Sequence, residues 1–244
     1  MRGLRMLDTF AGIGGFSYAA TKLVGGYRTT QFIEIDPFCQ KILKKHFPFT
    51  PIHDDIRTFT AIPGQYDVIC GGFPCQSISV AGNRAGITEE SRSGIFYELM
   101  RVIRMVRPRF VVLENVAAIL NNGLDIVLGE LSQAGYDAEW SVISASSLGA
   151  CHRRSRWWCV ATLTNSDSKR LQRENFSEME REIWAKGTTR CLNPNWRSYV
   201  SKPILPRGSY GLSNRVDRTK ALGNSIVPAV AAIPLQRVHD LYFK

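Results

Sequence analysis

The stretch that decides the fold is residues 4–15, which read LRMLDTFAGIGG. Its first half predicts a β-strand, its second half is a turn with three glycines, and residues 16–24 continue with a helical pattern of apolar side chains. This order is typical of the first unit of a nucleotide-binding α/β fold, in which the ligand lies over the helix N-terminus. The glycine spacing is not GxGxxG, so the turn differs from that of dinucleotide-binding folds.

The second predicted strand, residues 30–35, contains an acidic residue at a meaningful distance from this turn. Glu34 lies 20 positions beyond Gly14, which is about where Rossmann-type folds place an acid on the ribose hydroxyls. Asp36 is followed by a proline, a combination that favours a helix N-cap, and a helix is predicted at residues 37–46. We therefore interpret Glu34 as a ribose ligand and Asp36 as a cap.

A second glycine-rich stretch contains a candidate nucleophile, Cys75. The apolar run at residues 66–70 predicts a short buried strand, and Gly71 and Gly72 are expected to turn the chain sharply at its end. Pro74 then stiffens the turn. A thiol at the carboxyl end of a strand in an open α/β sheet lies at the crevice where ligands bind. A buried structural cysteine is the alternative interpretation.

The rest of the chain is predicted to alternate helices and strands. A long polar stretch, residues 76–93, is expected to be a lid that closes over substrate. The elements predicted after it are helices at residues 95–106, 125–134 and 229–241 and strands at residues 110–113, 138–144 and 157–162. The alternation predicts an α/β fold with a doubly wound, mostly parallel sheet.

Two further polar features lie near the ends of these strands. Glu114 follows the apolar strand at residues 110–113, and a carboxylate there is costly to bury without a partner, which favours a functional role. The turn at residues 151–156 is cationic, and Arg154 and Arg156 are two apart. Side chains at this spacing point the same way on a strand, as an oxygen-binding pair requires. A solvated charged loop is the alternative.

Composition limits the class of protein and its partners. The chain has 244 residues, of which 44% are hydrophobic and 21% charged, as in a globular domain. The net charge of +10 favours a polyanionic partner, with nucleic acid first. Because neither a run of ~18 apolar residues nor a secretory signal is present, we expect a cytoplasmic protein without a membrane partner. The six cysteines include no CxxC pair, so we expect neither a disulfide framework nor a metal site.

Five motifs, in this order, resemble those of the cytosine-C5 DNA methyltransferase family. They are residues 8–15, residues 72–77 (GFPCQS), residues 114–116 (ENV), residues 154–156 (RSR) and residues 223–228 (GNSIVP). The resemblance covers almost all of the chain except about residues 163–215, where the family places its target-recognition region. The family's usual glutamine in the arginine motif is His152 here. Small bacteriophage and prophage members look similar.

The resemblance implies methyl transfer from S-adenosyl-L-methionine to C5 of a cytosine that is flipped out of double-stranded DNA. Cys75 would add as a thiolate to C6 and make C5 electron-rich. Glu114 would hold the N3 edge and share a proton there. Arg156, with Arg154 beside it, would bind the cytosine O2 and stabilise the thiolate.

The resemblance also implies a cofactor pocket. Phe10 and Ile35 would flank the adenine, Asp55 and Ile56 would read its edge, and Glu34 would bind the ribose hydroxyls. The other pocket residues that it implies are Gly12, Gly14, Gly15, Pro74, Ile95, Asn224 and Ser225.

Three parts are expected: a catalytic domain at residues 1–162, a small target-recognition region at residues 163–215 and a C-terminal segment at residues 216–244 that returns to the catalytic domain. We expect a monomer that acts in a bacterial cell or a phage-infected host, in the setting of restriction-modification. Three alternatives stay open: an RNA (tRNA) cytosine-5 methyltransferase, a catalytically silent DNA-binding regulator, and a nicotinamide oxidoreductase suggested by the first βαβ unit alone.

Overall fold

The computed structural model of the protein describes residues 3–74, 94–150, 152–164 and 221–243. These residues form one seven-stranded sheet in the order β3-β2-β1-β4-β5-β7-β6. The strands are β1 (Leu4–Thr9), β2 (Tyr27–Ile33), β3 (Ile52–His53), β4 (Val68–Gly72), β5 (Phe110–Val116), β6 (Tyr136–Ser144) and β7 (Ser155–Leu163).

Every strand of the sheet except β7 runs in the same direction. β1 pairs with β2 and β4, β2 with β3, and β4 with β5, all in parallel, whereas β7 runs antiparallel to both β5 and β6. The predicted α/β fold with a mostly parallel sheet is confirmed. The expected β/α alternation continues through α4 to β6 and ends there. Between β6 and β7 the described residues contain a short 3₁₀ turn, Ala145–Leu148, whereas a parallel connection needs a crossover of about a dozen residues or more.

Helices cover both faces of the sheet. They are α1 (Gly15–Tyr18), which continues as a π-helix (Ala19–Val24), α2 (Pro37–His46), α3 (Ile95–Val106), α4 (Leu124–Gln133) and α5 (Pro228–Phe243). On one face, α3 and α4 pack on Leu7, Ile69 and Val111. On the other, the π-helix and α5 pack on Met6 and Val68. The alternation of strand side chains between the two clusters is the two-residue period of β-structure, and it makes the sheet doubly wound.

The first two units of the chain differ in detail from their predicted limits. The predicted helix at residues 16–24 is present, but its second half is π-helical. β2 begins three residues before its predicted start and ends two residues before its predicted end, so Glu34 and Ile35 lie in the loop after the strand. The predicted cap is confirmed, because Asp36 Oδ1 accepts a hydrogen bond of 2.9 Å from the backbone N–H of Phe38.

The sharp turn expected at Gly71 and Gly72 is wrong, because β4 runs through both residues. Gly71 provides space for its neighbours instead. A Cβ there would lie 2.7 Å from Thr9 Oγ1 and 3.2 Å from a methyl carbon of Leu99. A side chain at this position would push β4 away from both β1 and α3.

The C-terminal helix α5 packs on the π-helix and on β7. The hydroxyl of Tyr27 donates a hydrogen bond of 2.5 Å to the carbonyl oxygen of Leu235. Arg237, on the same helix, pairs with Glu139 of β6 at 2.7 Å. Among the described residues, no helix combines the length and the apolar character that a membrane crossing requires.

Candidate functional site

The site lies at one edge of the sheet. The parallel strands β1, β2, β4 and β5 end there, and the antiparallel β7 begins there. Gly72 is opposite Glu114 in the ladder, and Arg156 is opposite Val116, two residues beyond Glu114 on β5. Long side chains reach diagonal neighbours on the same face of a sheet, so the pairing of β5 with β7 brings Arg156 to Glu114.

Glu114 and Arg156 form a largely buried ion pair. Arg156 Nε lies 2.9 Å from Glu114 Oε1, and the two side chains are 22% and 13% exposed, respectively. Burial raises the pKa of the Glu114 carboxyl above its usual range, and the charges of Arg156 and Arg154 oppose that rise. A carboxyl in this state stays neutral to higher pH than a free glutamate, so it is suited to share a proton with a ring nitrogen.

Arg154 has a different set of partners. It lies just before β7 with a φ of 33°, and its guanidinium donates to the carbonyl oxygens of Gly223, at 2.9 Å, and Ser225. Burial lowers the pKa of Arg154, and the charge of Arg156 acts in the same direction. The two arginines predicted to act as an oxygen-binding pair therefore have separate partners: Arg156 pairs with Glu114, and Arg154 binds backbone carbonyl oxygens. The alternation argument does not apply to Arg154, which lies outside the strand and holds the backbone ahead of α5.

Glu34 closes the glycine turn. Its Oε2 accepts a hydrogen bond of 2.6 Å from the Gly12 N–H, and its Oε1 accepts one of 2.8 Å from the Asp36 N–H. Burial raises the pKa of the Glu34 carboxyl, although these backbone donors oppose the rise. Gly12 and Gly14 have φ values of 54° and 87°, a region that favours glycine. The acid predicted to bind ribose thus also fixes the shape of the turn.

Two apolar side chains border this turn, as the predicted adenine pocket requires. Ile35 is 63% exposed directly beside the buried Glu34. Phe10 is half-buried and has a φ of 54°, which is unusual for a residue with a side chain. A Cβ built on Gly12 would meet nothing within 4 Å. The described residues therefore leave open space beside the turn at Gly12.

Asp55 and Ile56 differ in what they offer a ligand. The Asp55 carboxylate pairs with Arg57 at 2.8 Å and accepts the Arg57 backbone N–H at 3.0 Å, and the hydrogen bond from the Arg57 side chain lowers the pKa of Asp55. The side chain of Ile56 is buried in the core, 3% exposed. Ile56 can therefore contribute only main-chain atoms to an adenine site.

The remaining predicted pocket residues lie around the same edge. Pro74 and Asn224 are exposed, and Ile95 and Ser225 are half-buried. The Ser225 hydroxyl donates a hydrogen bond of 2.9 Å to the carbonyl oxygen of Leu222. Gly14 and Gly15 lie at the end of the turn and are closely packed by neighbouring side chains. A Cβ on Gly14 would lie 2.9 Å from a ring carbon of Phe47.

Cys75 and the predicted lid at residues 76–93 lie outside the described residues. The chain is described up to Pro74, and the Asn115 side-chain amide donates a hydrogen bond of 3.3 Å to the carbonyl oxygen of Phe73. The described cysteines, Cys39, Cys70 and Cys159, are buried. Burial raises the pKa of the Cys70 and Cys159 thiols well above the usual value, so both are poor nucleophiles.

Within residues 3–74, 94–150, 152–164 and 221–243, no group of three or more potential ligands is arranged to hold a metal ion.

Comparison with known proteins identifies the family. The family model described as C-5 cytosine-specific DNA methylase matches residues 4–205. The chain belongs to the C-5 cytosine-specific DNA methylase family. This match includes the glycine turn, Glu114 and Arg156, all of which meet at the described edge.

Two curated methylases and one solved structure illustrate the relationship. The type II methyltransferase M.CviJI of Paramecium bursaria Chlorella virus IL3A is 37% identical over 212 residues, which are 85% of this chain and 56% of the relative. The type II methyltransferase M.MspI of Moraxella sp is 31% identical over 166 residues, 66% of this chain and 39% of the relative. The chain spans about half the length of the curated relatives that it matches.

The solved structure, described as a DNA modification methyltransferase encoded within an E. coli prophage, matches 99% of this chain and 100% of its own, with a TM-score of 0.63 and 17% identity. At that identity the likeness concerns the fold. It supports the architecture of a methylase with a seven-stranded, mostly parallel sheet.

The structure also reveals a contact residue that the sequence does not single out. Ile226, in the GNSIVP motif, lies between two glycines of other motifs. A Cβ on Gly15 would lie 3.0 Å from Ile226 Cβ, and a Cβ on Gly72 would lie 3.7 Å from Ile226 Cδ1 and 3.0 Å from Glu114 Oε2. In the sequence, only the lack of a side chain at Gly15 and Gly72 hints at a close contact. Neither their spacing along the chain nor a periodic pattern connects these glycines with Ile226.

Proposed function

We propose that the protein is a DNA (cytosine-5-)-methyltransferase that transfers a methyl group from S-adenosyl-L-methionine to C5 of a flipped-out cytosine in a specific double-stranded DNA sequence. The observation that carries the proposal is the buried pair of Glu114 and Arg156 beside Gly72. Cys75 follows three residues after Gly72, so chain length alone keeps their Cα atoms within about 11 Å. Family membership and the net charge of +10 support DNA as the partner.

Cys75 is the proposed nucleophile. Its thiolate forms a bond to C6 of cytosine, and the electron pair of the C5–C6 double bond becomes available at C5. S-adenosyl-L-methionine supplies an electrophilic methyl group. As C5 forms its bond to that carbon, the carbon–sulfur bond of the sulfonium breaks and the thioether S-adenosyl-L-homocysteine leaves. A base then removes the C5 proton and the bond between Cys75 and C6 breaks, which restores the C5–C6 double bond and the free enzyme.

Glu114 and Arg156 balance the charge of the ring during attack. Glu114 holds a proton at N3, and its raised pKa keeps more of the carboxyl neutral at a given pH. Arg156 orients Glu114 through the 2.9 Å contact and brings positive charge to the O2 side of the base. Arg154 stabilises the same edge of the sheet by holding the segment before α5, because its guanidinium donates hydrogen bonds to the carbonyl oxygens of Gly223 and Ser225.

The glycine turn and its neighbours are the proposed cofactor pocket. The exposed Ile35 and the half-buried Phe10 flank the adenine, and Glu34 binds the ribose hydroxyls while it holds the Gly12 N–H. The open space over Gly12 fits a ligand that lacks a pyrophosphate. Asp55 and main-chain atoms of Ile56 bind the adenine edge. Gly14, Gly15, Pro74, Ile95, Asn224 and Ser225 complete the pocket.

The first experiment tests activity and substrate together. Purified protein is incubated with methyl-labelled S-adenosyl-L-methionine and either double-stranded DNA or tRNA. We expect label in DNA at C5 of cytosine and none in tRNA. Label in tRNA alone would favour an RNA methyltransferase, and binding of DNA without transfer would favour a silent regulator. A thermal-shift comparison of S-adenosyl-L-methionine with NAD tests the oxidoreductase alternative. We expect S-adenosyl-L-methionine, but not NAD, to raise the melting temperature.

The second experiment tests the covalent step. DNA that contains 5-fluorocytosine cannot lose its C5 substituent as a proton, so the Cys75–C6 adduct should survive denaturation. Cys75→Ala should form no adduct, whereas Cys39→Ala, which changes a buried cysteine of α2, should form it normally. An adduct with Cys75→Ala would refute the proposed nucleophile.

A further inference from the structure

The C-terminal segment touches both halves of the site through one side chain, Ile226. Its Cβ lies against the Gly15 Cα, at the start of α1, and its Cδ1 points to Gly72. Glu114 Oε2 lies against the same glycine, 3.0 Å from the position that a Cβ would occupy. Ile226 therefore spans the gap between the cofactor turn and the carboxyl of the ion pair.

The shape of this side chain makes it a stiff spacer. Isoleucine is branched at Cβ, which restricts χ1, so the direction in which its Cδ1 extends from the backbone is limited. Ile226 also packs against the core cluster on this face of the sheet, which contains Phe16 and Trp158.

Arg154 fixes the backbone on the N-terminal side of Ile226. Its two hydrogen bonds go to the carbonyl oxygens of Gly223 and Ser225, and Ser225 directly precedes Ile226 in the chain. The contact is a fork of two parallel donors, a geometry that lysine cannot reproduce. Arg154 thus holds Ile226 in place without touching Glu114 itself.

We propose that Ile226, held by Arg154, is a positioning residue that seats Glu114 against Gly72 in a dry environment and links that seat to the cofactor turn. The proposal rests on the proposed function for its catalytic meaning, but its geometry can be tested without catalysis. Among the described residues, the charged groups that face Glu114 are Arg156 and Arg154, and neither is changed in the variants below.

The test uses a graded pair of substitutions at one position. Ile226→Val keeps the Cβ branch that contacts Gly15 and removes only Cδ1, the atom that points to Gly72. Ile226→Ala removes the whole spacer. Leu222→Ala, at a 64% exposed position of the same segment, removes a similar volume and is the matched control.

The pKa of Glu114 is measured by ¹³C NMR of labelled glutamate carboxyls, with Glu114→Gln to assign the resonance. Because water would reach the carboxyl, we expect its pKa to fall in Ile226→Ala, to fall less in Ile226→Val and to stay unchanged in Leu222→Ala. Because the proposed role of Glu114 needs its protonated form, the rate of methyl transfer should begin to fall with rising pH at a lower pH in these variants than in the wild type. Affinity for S-adenosyl-L-methionine should change less in Ile226→Val than in Ile226→Ala.

An unchanged Glu114 pKa in both Ile226 variants would overturn the proposal, and so would an equal shift in Leu222→Ala. If Ile226→Ala does not fold, Ile226→Val decides the test alone. The NMR titration needs no turnover, so it separates the two proposals. A wild-type protein without methyl transfer but with the expected pKa shifts would refute the proposed function and leave the positioning role of Ile226 intact.

Discussion

Gly72→Ala should slow methyl transfer by moving the Glu114 carboxyl. The new Cβ would lie 3.0 Å from Glu114 Oε2, closer than an ordinary van der Waals contact. Gly72 lies inside β4 and is not among the described glycines with positive φ, so alanine fits the backbone conformation. The effect of the substitution therefore comes from the added methyl group.

The geometry sets the expected magnitude. A shift of a few tenths of an ångström relieves the contact, but it also disturbs the 2.9 Å pairing of Glu114 Oε1 with Arg156 Nε. Misplacement of a reacting group by 1 Å costs about 100-fold in rate, so the smaller shift here should cost about 10-fold. The free energy of unfolding should fall by about 1–3 kcal/mol, as for other overpacked sites.

The assay is single-turnover methyl transfer at saturating S-adenosyl-L-methionine, with urea unfolding on the same samples. The matched control is Gly129→Ala in α4, where a Cβ would meet nothing within 4 Å. Alanine is the better helix former by about 0.5–1 kcal/mol, so the control should gain stability and keep the wild-type rate.

A double-mutant cycle tests whether the effect passes through Glu114. In a Glu114→Gln background, Gly72→Ala should slow transfer by less than about 3-fold, because the group that it displaces no longer acts as an acid. An equal loss of rate in both backgrounds would refute the reasoning, since the methyl group would then be acting on some other part of the site.

Three other predictions concern the scaffold around the site. Arg237→Ala should lower the free energy of unfolding in urea by about 3–5 kcal/mol, because the side chain is 3% exposed and its loss strands the charge of Glu139, 2.7 Å away. An effect below about 1 kcal/mol would contradict this. Glu34→Gln should weaken binding of S-adenosyl-L-methionine at least about 10-fold in calorimetry, because an amide has one acceptor where the carboxylate uses both oxygens, one of them for Gly12 at 2.6 Å. Burial raises the pKa of Asp8 to about 7 from 3.8, so the stability that this carboxyl contributes is fully present below pH 3.8 and is lost as pH rises through 7. Asp8→Asn should therefore reduce the loss of unfolding free energy between pH 5 and pH 8, and equal slopes for the two proteins would show that Asp8 does not titrate there.

The local signals in the sequence predicted much of the fold because they act over a few residues. Leu7 and Val111 lie in continuous or alternating apolar runs, and such runs define buried strands wherever the chain takes them. Asp36 before a proline caps α2 as predicted, because the cap needs only the N–H of Phe38 two positions ahead. Glu34 was similarly singled out by its distance from the glycine turn.

The features that escaped prediction depend on contacts between distant parts of the chain. Gly72 was interpreted as a turn residue, yet its lack of a side chain makes room for Glu114, 42 positions further along, and for Ile226. The two hydrogen bonds of Arg154 cross 69 and 71 positions. No short-range pattern predicts such pairs, because the local sequence around each residue is compatible with many different long-range partners.

The direction of β7 decides whether the arginine motif can act at all. Had β7 been parallel to β5, Arg156 would lie at the amino edge of the sheet, opposite the site. Nine residues at ~3.3 Å each would separate the two edges by almost 30 Å. The prediction of a mostly parallel sheet left the direction of this strand open, but a parallel β7 would conflict with the predicted role of Arg156. The antiparallel pairing resolves the conflict, since it starts β7 at the edge where β5 ends and sets Arg156 opposite Val116. The location that a motif needs in order to function can therefore test a strand direction that periodicity leaves open. When a charged motif precedes a strand but must act at the carboxyl edge of the parallel strands, that strand should run antiparallel to its neighbours.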